Sequence, residues 1–229
     1  MAGQTLKLKN LPPKGPKSIC ILRLSAIGDV CHAVAMVQQI QKAWPETQIT
    51  WIIGKIELQL VKHLPKVNFV VFDKKRGFKA YRELYLKLRH QHFNLLMHMQ
   101  VALRSSLASL CVKADIKLGF DEKRAKEGQW LFTNAQVDPI ENPHVLEGFM
   151  GFAKAAGIDV EKPSWNIPIP SGDELWASEN LDASKPIAVI CPAASKAIRN
   201  WTTQGYAQTA EYLERKGFNV YLCGGPAPA

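Results

Sequence analysis

The chain has 229 residues, of which 47% are hydrophobic, and its formal net charge is +9. This length predicts one or two domains with a real core. The charge favours an anionic partner, either a nucleotide, a phosphorylated sugar, a membrane headgroup or a nucleic acid. The sequence has neither a signal-peptide pattern nor an apolar run of about 20 residues, and its five cysteines form no C-x-x-C pair. We therefore expect a cytoplasmic protein without disulfides or a metal site.

The first predicted elements are a buried strand over residues 18–24 and a helix over residues 30–44, joined by a short turn. In this turn, Gly28 can adopt a backbone conformation that a Cβ atom would forbid. Asp29 stands where the first helical N–H groups lack partners, so it can cap the helix. It can also face a ligand, because ligands of open α/β sheets bind at the carboxyl ends of the strands. Residues 1–17, with four lysines and no acid, are expected to form a basic flexible tail.

Strands and helices then alternate with short connections, which predicts a parallel sheet with helices on both faces. The predicted strands cover residues 48–54, 68–73, 93–99 and 116–120, and the predicted helices cover residues 57–64, 77–90 and 104–112. In the second of these helices, one face carries Phe78, Tyr81, Leu84, Tyr85 and Leu88. We expect the last four of these side chains in the core.

A further helix is predicted from an Asn142 cap to Gly157, followed by a proline-rich linker with a short helical piece over residues 173–180. A strand, a helix capped by Thr202 and a second strand then occupy residues 187–223. These elements cannot enclose a core alone, so we expect poorly covered apolar faces. The predicted organisation is a tail (1–17), a Rossmann-like domain (18–165), a linker (166–186) and the start of a truncated second domain (187–229).

Four segments in order resemble the ADP-heptose:lipopolysaccharide heptosyltransferases of glycosyltransferase family 9. They are LRLSAIGDVCHA (22–33), MQVALRSSLASL (99–110), GFDEKRAKE (119–127) and ICPAASKAIRNW (190–201). The resemblance implies an α/β fold of the GT-B type with two Rossmann-like domains, here with the second incomplete. It implies inverting transfer from ADP-heptose to an anionic inner-core lipopolysaccharide sugar, without a metal or a resident cofactor.

By this resemblance, Asp29 matches the proposed catalytic aspartate and is the candidate base, although a helix cap remains the alternative. His32 is expected to support the site rather than act in catalysis, and His144 is expected at the cap of its helix. The candidate acceptor-binding residues are Ser25, Gln100, Arg104 and Arg124. Each arginine could instead form an ordinary surface ion pair, with Glu127 as a partner for Arg124.

The candidate residues for the donor phosphates are Ser195, Lys196 and Arg199, in a loop before a helix. The alternative is a solvated basic loop. An arginine stands at position 199 where the family usually has lysine, and the two side chains bind phosphate differently.

Several whole-chain alternatives stay open at this point. The chain could be a catalytically inactive fragment that binds only the anionic acceptor. A Rossmann dehydrogenase or methyltransferase is disfavoured, since SAIGD has one glycine where a dinucleotide site needs G-x-G-x-x-G. A nucleic-acid binder is compatible with the charge but lacks a recognition motif. Peripheral contact with the inner membrane surface is a further possible interaction.

Overall fold

The computed structural model describes residues 8, 11–192, 194 and 197–224. It divides the chain into two compact units, residues 1–168 (unit 1) and 169–229 (unit 2). Unit 1 contains β1 (Ser18–Leu22), α1 (Ile27–Ala43), β2 (Gln48–Ile53), α2 (Lys55–Val61), β3 (Val67–Val71), α3 (Phe78–Leu88), β4 (Phe93–His98), α4 (Leu103–Ser109), β5 (Ala114–Gly119), β6 (Ala135–Gln136) and α5 (Val145–Ala155). Unit 2 contains α6 (Ser171–Asn180), β7 (Ile187–Ile190), α7 (Thr203–Arg215) and β8 (Asn219–Leu222). No helix in the described ranges is long and apolar enough to cross a membrane.

The six strands of unit 1 form one parallel sheet in the order β3-β2-β1-β4-β5-β6. Successive side chains of β1 point to opposite faces of the sheet. Ile19 and Ile21 join a core with α1 and α5, whereas Cys20 and Leu22 join a second core with α3 and α4. The predicted parallel sheet with helices on both faces is thus confirmed.

The strand register brings the carboxyl ends of β1, β2 and β4 together. Leu22 lies opposite Ile52 on one side and His98 on the other. Beyond the strands, the backbone N–H of Met99 donates to the Leu22 carbonyl (3.1 Å), and that of Gly54 donates to the Leu24 carbonyl (2.9 Å). The loops that follow these three strands therefore meet at one edge of the sheet.

Helix α1 begins three residues earlier than predicted, so that Gly28 lies within its first turn. A Cβ atom at Gly28 would meet nothing within 4 Å, and the residue does not have a positive φ. The structure therefore does not use the conformational freedom that glycine offers at this position.

Helix α3 turns a different face to the sheet than predicted. Ala80, Leu84 and Leu88 are buried at a spacing of four residues. Tyr85 is 49% exposed, so its assignment to the core is wrong, and Phe78 is 93% exposed. The reason is that the small Ala80 side chain lets the helix approach the sheet along the 80/84/88 line, which leaves the two aromatic residues outside it.

The residues before β1 are partly packed. Pro16 is buried, and its carbonyl accepts a hydrogen bond from Thr47 Oγ1 (2.8 Å). Gly15, at φ +88°, lies directly against the Trp44 side chain. Gly15 and Pro16 are thus packed against the rest of unit 1, while the flexibility of the tail stays a prediction, and residues 1–7, 9 and 10 lie outside the described residues.

The residue that caps helix α5 is His144, whereas the Asn142-Pro143 pattern predicted Asn142. The His144 Nδ1 atom accepts from the Leu146 N–H (3.2 Å), and Glu147 accepts from the His144 N–H (3.1 Å). The structure thus confirms the expectation that His144 lies at the cap of its helix.

Unit 2 is a small β7-α7-β8 unit with parallel strands, preceded by α6. Thr202 caps α7 by accepting from the Gly205 N–H (3.0 Å), as predicted, and Gly217 follows the helix at φ +86°. Val189 and Leu222 are 54% and 69% exposed, which confirms the prediction of poorly covered apolar faces.

Candidate functional site

Two cavities open at the carboxyl edge of the unit 1 sheet. The larger, which we call the basic cavity, has a volume of about 610 Å³. Its polar lining includes Ser25, Lys55, Glu57, Asp73, Lys74, Lys75, Gln100, Arg104 and Glu127. The smaller, which we call the Asp29 cleft, has a volume of about 230 Å³ and is lined by Arg23, Asp29, Val101, Phe120, Arg124, Pro143, His144, Val145, Gly148 and Phe149.

The Asp29 carboxylate contacts the start of α1 and also lines the cleft. Its Oδ2 atom pairs with the Arg23 guanidinium and accepts from the Ala26 N–H (3.3 Å). Among the described residues, only Oδ2 makes hydrogen bonds, and the side chain is 31% exposed. The capping contact and an exposed carboxylate oxygen therefore coexist in one residue.

Arg23 is a residue of the Asp29 cleft that was not predicted from the sequence. Its side chain is 12% exposed, its Nη1 atom donates to the Met99 carbonyl (2.6 Å), and its guanidinium lies 5.0 Å from the Phe149 ring centroid. Burial lowers the pKa of Arg23, and the Asp29 charge acts in the opposite direction. An arginine at the end of an apolar strand, six residues before an acid, is the sequence signal that could have indicated this pair.

Three of the predicted acceptor-binding residues line the basic cavity. Gln100 joins two loops, since its Oε1 accepts from the Leu24 N–H (2.7 Å) and its Nε2 donates to Ser25 Oγ (3.3 Å). Arg104 is exposed and lines the cavity from α4. Three lysines of this cavity were not predicted from the sequence, namely Lys55, Lys74 and Lys75.

Arg124 lies instead in the Asp29 cleft, so the four predicted acceptor-binding residues are divided between two cavities. Its Nε pairs with Asp121 and its Nη2 donates to the Asp138 carbonyl (3.1 Å). Within the described part of the chain, its buried Nη1 has no hydrogen-bond partner. The suggested pair with Glu127 is wrong, because the Glu127 carboxylate accepts from the Leu103 N–H (2.6 Å).

Two histidines, His32 and His98, are half-buried or buried in unit 1. The His32 ring stands edge-on to His144, with centroids 5.2 Å apart, beside the Asp29 cleft. His98 is fully buried, and its Nε2 lies 3.2 Å from Ser106 Oγ. Burial lowers the pKa of His98 to about 4, so it is neutral near pH 7. The described residues contain no group of three or more His, Cys, Asp or Glu side chains that could hold a metal ion.

The predicted donor-binding residues belong to unit 2. Ser195 and Lys196 lie outside the described residues. Arg199 is exposed in a short 3₁₀ turn, Ala197–Arg199, that precedes α7. Asn200 joins the ends of this loop by accepting from the Ala194 N–H (2.6 Å). The roles of these residues, and any proximity to Asp29, stay predictions.

Comparison with known proteins decides the family. The profile of glycosyltransferase family 9 (heptosyltransferase) matches residues 81–229. The chain belongs to this family. It is 44% identical over 214 residues to the lipopolysaccharide core heptosyltransferase OpsX of Haemophilus influenzae, which covers 93% of this chain and 62% of OpsX. It is 23% identical over 226 residues to lipooligosaccharide heptosyltransferase 2 of Haemophilus ducreyi, covering 90% and 63% of the two chains.

Solved structures of the family share the fold. A family 9 glycosyltransferase from Veillonella parvula matches with a TM-score of 0.78 at 19% identity, over 95% of this chain and 65% of that one. Escherichia coli heptosyltransferase WaaC with ADP matches with a TM-score of 0.74 at 20% identity, over 91% and 68%. The chain thus spans about two thirds of the length of its relatives.

These matches confirm the predicted family and its α/β fold of the GT-B type. The dehydrogenase and methyltransferase alternatives are wrong, because the chain belongs to a family of glycosyltransferases. The comparisons do not favour the alternative of an inactive fragment that only binds an acceptor.

Proposed function

We propose that this chain acts as a heptosyltransferase that moves heptose from ADP-heptose to a hydroxyl of an anionic inner-core lipopolysaccharide sugar. Membership of family 9 and the similarity to OpsX support the reaction class. One of the matching WaaC structures was solved with ADP-2-deoxy-2-fluoro heptose, which supports the choice of donor. The observation that carries the proposal is the Asp29 carboxylate, which lines a cleft while Arg23 holds one of its oxygens.

In the proposed reaction, the acceptor hydroxyl attacks the anomeric carbon of the heptose. The bond from that carbon to the diphosphate oxygen breaks, and its electron pair leaves with ADP. The hydroxyl proton passes to the Oδ1 atom of Asp29, because Oδ2 is held by Arg23 and the Ala26 N–H. A single displacement of this kind inverts the anomeric configuration.

The leaving diphosphate needs positive charge and N–H donors. We propose that Arg199, with Ser195 and Lys196 of the same loop, binds the diphosphate near the start of α7, as the resemblance implies. The reaction would then need no metal ion, since side-chain cations would stabilise the leaving charge. Arg199 can present two parallel N–H groups to two phosphate oxygens in a fixed geometry, whereas a lysine is a compact charge with rotatable donors.

The basic cavity suits an anionic acceptor. Lys55, Lys74, Lys75 and Arg104 are exposed around it. Two of its three acidic side chains already have backbone partners, since Asp73 accepts from the Lys75 N–H (3.0 Å) and Glu127 accepts from the Leu103 N–H. The four cations are therefore the groups best placed to bind a carboxylate or a phosphate.

Mass spectrometry of a Kdo-terminated acceptor incubated with ADP-heptose tests the proposal. The acceptor should gain one heptose. Lys74→Gln/Lys75→Gln should raise the acceptor KM about tenfold and leave kcat within about twofold, because one charge-assisted contact contributes about 1.5–3 kcal/mol. Lys62→Gln, on the exposed end of α2 and outside the cavity, is the matched control. If the acceptor KM of Lys74→Gln/Lys75→Gln is as little changed as that of the control, the assignment of the cavity is contradicted.

A further inference from the structure

One helical layer of unit 1 exposes many large apolar side chains. In the described part of unit 1, thirteen large hydrophobic residues are exposed, and eight of them lie on α3, on α4 with the residue that follows it, or on the 3₁₀ turn Gln129–Phe132. The eight residues are Phe78, Tyr85, Leu86, Leu103, Leu107, Leu110, Trp130 and Leu131. Isolated exposed apolar residues are normal, but a concentration on one face indicates an interaction surface.

The elements that carry these residues adjoin one another. The Tyr81 hydroxyl of α3 donates to the Arg104 carbonyl of α4 (3.3 Å). The Leu103 N–H, at the start of α4, donates to Glu127, just before the 3₁₀ turn. Within α4 and its last turn, Leu103, Leu107 and Leu110 follow a spacing of four and three residues, which places them on one side of the helix. We call this surface the α3–α4 face.

The segment of the chain that carries this face also accounts for most of the net positive charge of the protein. Residues 74–131 contain thirteen lysines and arginines against five aspartates and glutamates, while the whole chain has a net charge of +9. Lys79 and Arg82 are exposed on α3, outside the basic cavity. Apolar side chains surrounded by basic residues are typical of surfaces that bind anionic membranes.

We propose that the α3–α4 face docks onto an anionic lipid surface. A second copy of the chain fits this face poorly, because a twofold contact would bring two strongly positive patches together. The proposal rests on the proposed function in one respect, since a lipopolysaccharide acceptor is itself anchored by acyl chains. Lys74, Lys75 and Arg104 line the basic cavity from this side, so docking would bring the mouth of the cavity near the lipid-linked sugar.

Co-sedimentation with lipid vesicles tests the proposal. The protein should bind vesicles of phosphatidylcholine with about 30% phosphatidylglycerol, and it should bind pure phosphatidylcholine far more weakly. Lys79→Gln/Arg82→Gln should weaken the partition constant about 25-fold, because each basic residue near an anionic surface contributes about fivefold. The control Lys62→Gln/Lys154→Gln removes two exposed charges from α2 and α5, on the opposite face of the sheet, and should change binding less than about twofold.

A second pair of variants tests the apolar contribution. Leu107→Ser should weaken vesicle binding at least about threefold, because insertion buries part of this side chain among the acyl chains. Leu60→Ser, on α2, is the matched control, since Leu60 and Leu107 are 39% and 41% exposed. Circular dichroism should show the same fold for all variants.

Three outcomes would overturn the proposal. The first is no binding to the anionic vesicles, and the second is an equal loss of binding in the test and control variants. The third is a dimer in size-exclusion chromatography that Leu107→Ser dissociates, which would indicate a second copy on this face. The vesicles contain neither donor nor acceptor sugar, so the binding assay does not depend on heptosyl transfer. A failure of transfer would therefore not contradict vesicle binding, and a failure of vesicle binding would not contradict transfer.

Discussion

The ion pair between Arg23 and Asp29 predicts a measurable energetic coupling between the two residues. Both side chains are largely buried, with 12% and 31% of their surfaces exposed. The perturbation is a double-mutant cycle of Arg23→Met, Asp29→Asn and the combined variant. Such a cycle isolates the interaction between two groups from their separate contacts with the rest of the protein.

The expected magnitude follows from the contacts. Arg23→Met removes the pair and also the hydrogen bond to the Met99 carbonyl, and it leaves the Asp29 charge with only the Ala26 N–H. We expect this variant to lower the free energy of unfolding by about 3–4 kcal/mol. Asp29→Asn should lower the free energy of unfolding by about 2 kcal/mol. This is less than for a fully buried ion pair, because the carboxylate is partly solvated. The combined variant should cost little more than Arg23→Met alone, which gives a coupling of about 2 kcal/mol.

Urea unfolding followed by tryptophan fluorescence is the appropriate assay. Trp44 and Trp51 are the buried tryptophans among the described residues, and both belong to unit 1, so the signal reports on the unit that holds the pair. Additive effects of the two substitutions, within about 0.5 kcal/mol, would refute the argument that Arg23 holds the carboxylate of Asp29 in place.

Three further predictions concern stability. Because the pKa of His98 is about 4 in the folded protein, below the value of 6.5 in an unfolded chain, the unfolded state binds the extra proton between these values. Stability should therefore fall by about 3 kcal/mol as the pH drops from 6.5 to 4 on account of His98, and His98→Gln should remove this part of the pH dependence measured by urea unfolding. A Cβ atom at Gly205 would lie 2.6 Å from the Trp201 ring, so Gly205→Ala should displace the indole and destabilise unit 2 by about 1–2 kcal/mol; an unchanged Trp201 environment by NMR would count against this contact. Gly28→Ala should instead increase the free energy of unfolding by up to about 1 kcal/mol, because its Cβ meets free space in a helical turn. The midpoint of thermal unfolding should rise accordingly.

The sequence predicted the sheet of unit 1 well, because its strands are short apolar runs separated by amphipathic helices. Strand β6 was missed, since it has only two residues and no hydrophobic pattern of its own. The start of α1 was placed too late because its first turn holds Ile27, Gly28 and Asp29, of which Gly28 suggested a turn.

The candidate site was only partly predictable. Asp29 could be singled out because it ends a strand-to-helix turn. The only sequence signal for its partner Arg23 is an arginine at the end of an apolar run, and this signal does not specify that the side chain is buried or paired. Arg104 follows β4 and lines the basic cavity, whereas Arg124 follows β5 and lines the Asp29 cleft. Local sequence does not carry this information.

The most direct test of the catalytic role of Asp29 is the turnover number of Asp29→Asn. Asparagine preserves the size of the side chain and can still accept from the Ala26 N–H, but it cannot take a proton from the acceptor hydroxyl. General-base catalysis contributes about 10²–10⁴-fold, so kcat for heptosyl transfer should fall by at least about 100-fold while the KM for ADP-heptose stays within about threefold. A variant that folds normally and retains kcat within a few-fold of the original protein would contradict the role of Asp29 as the base.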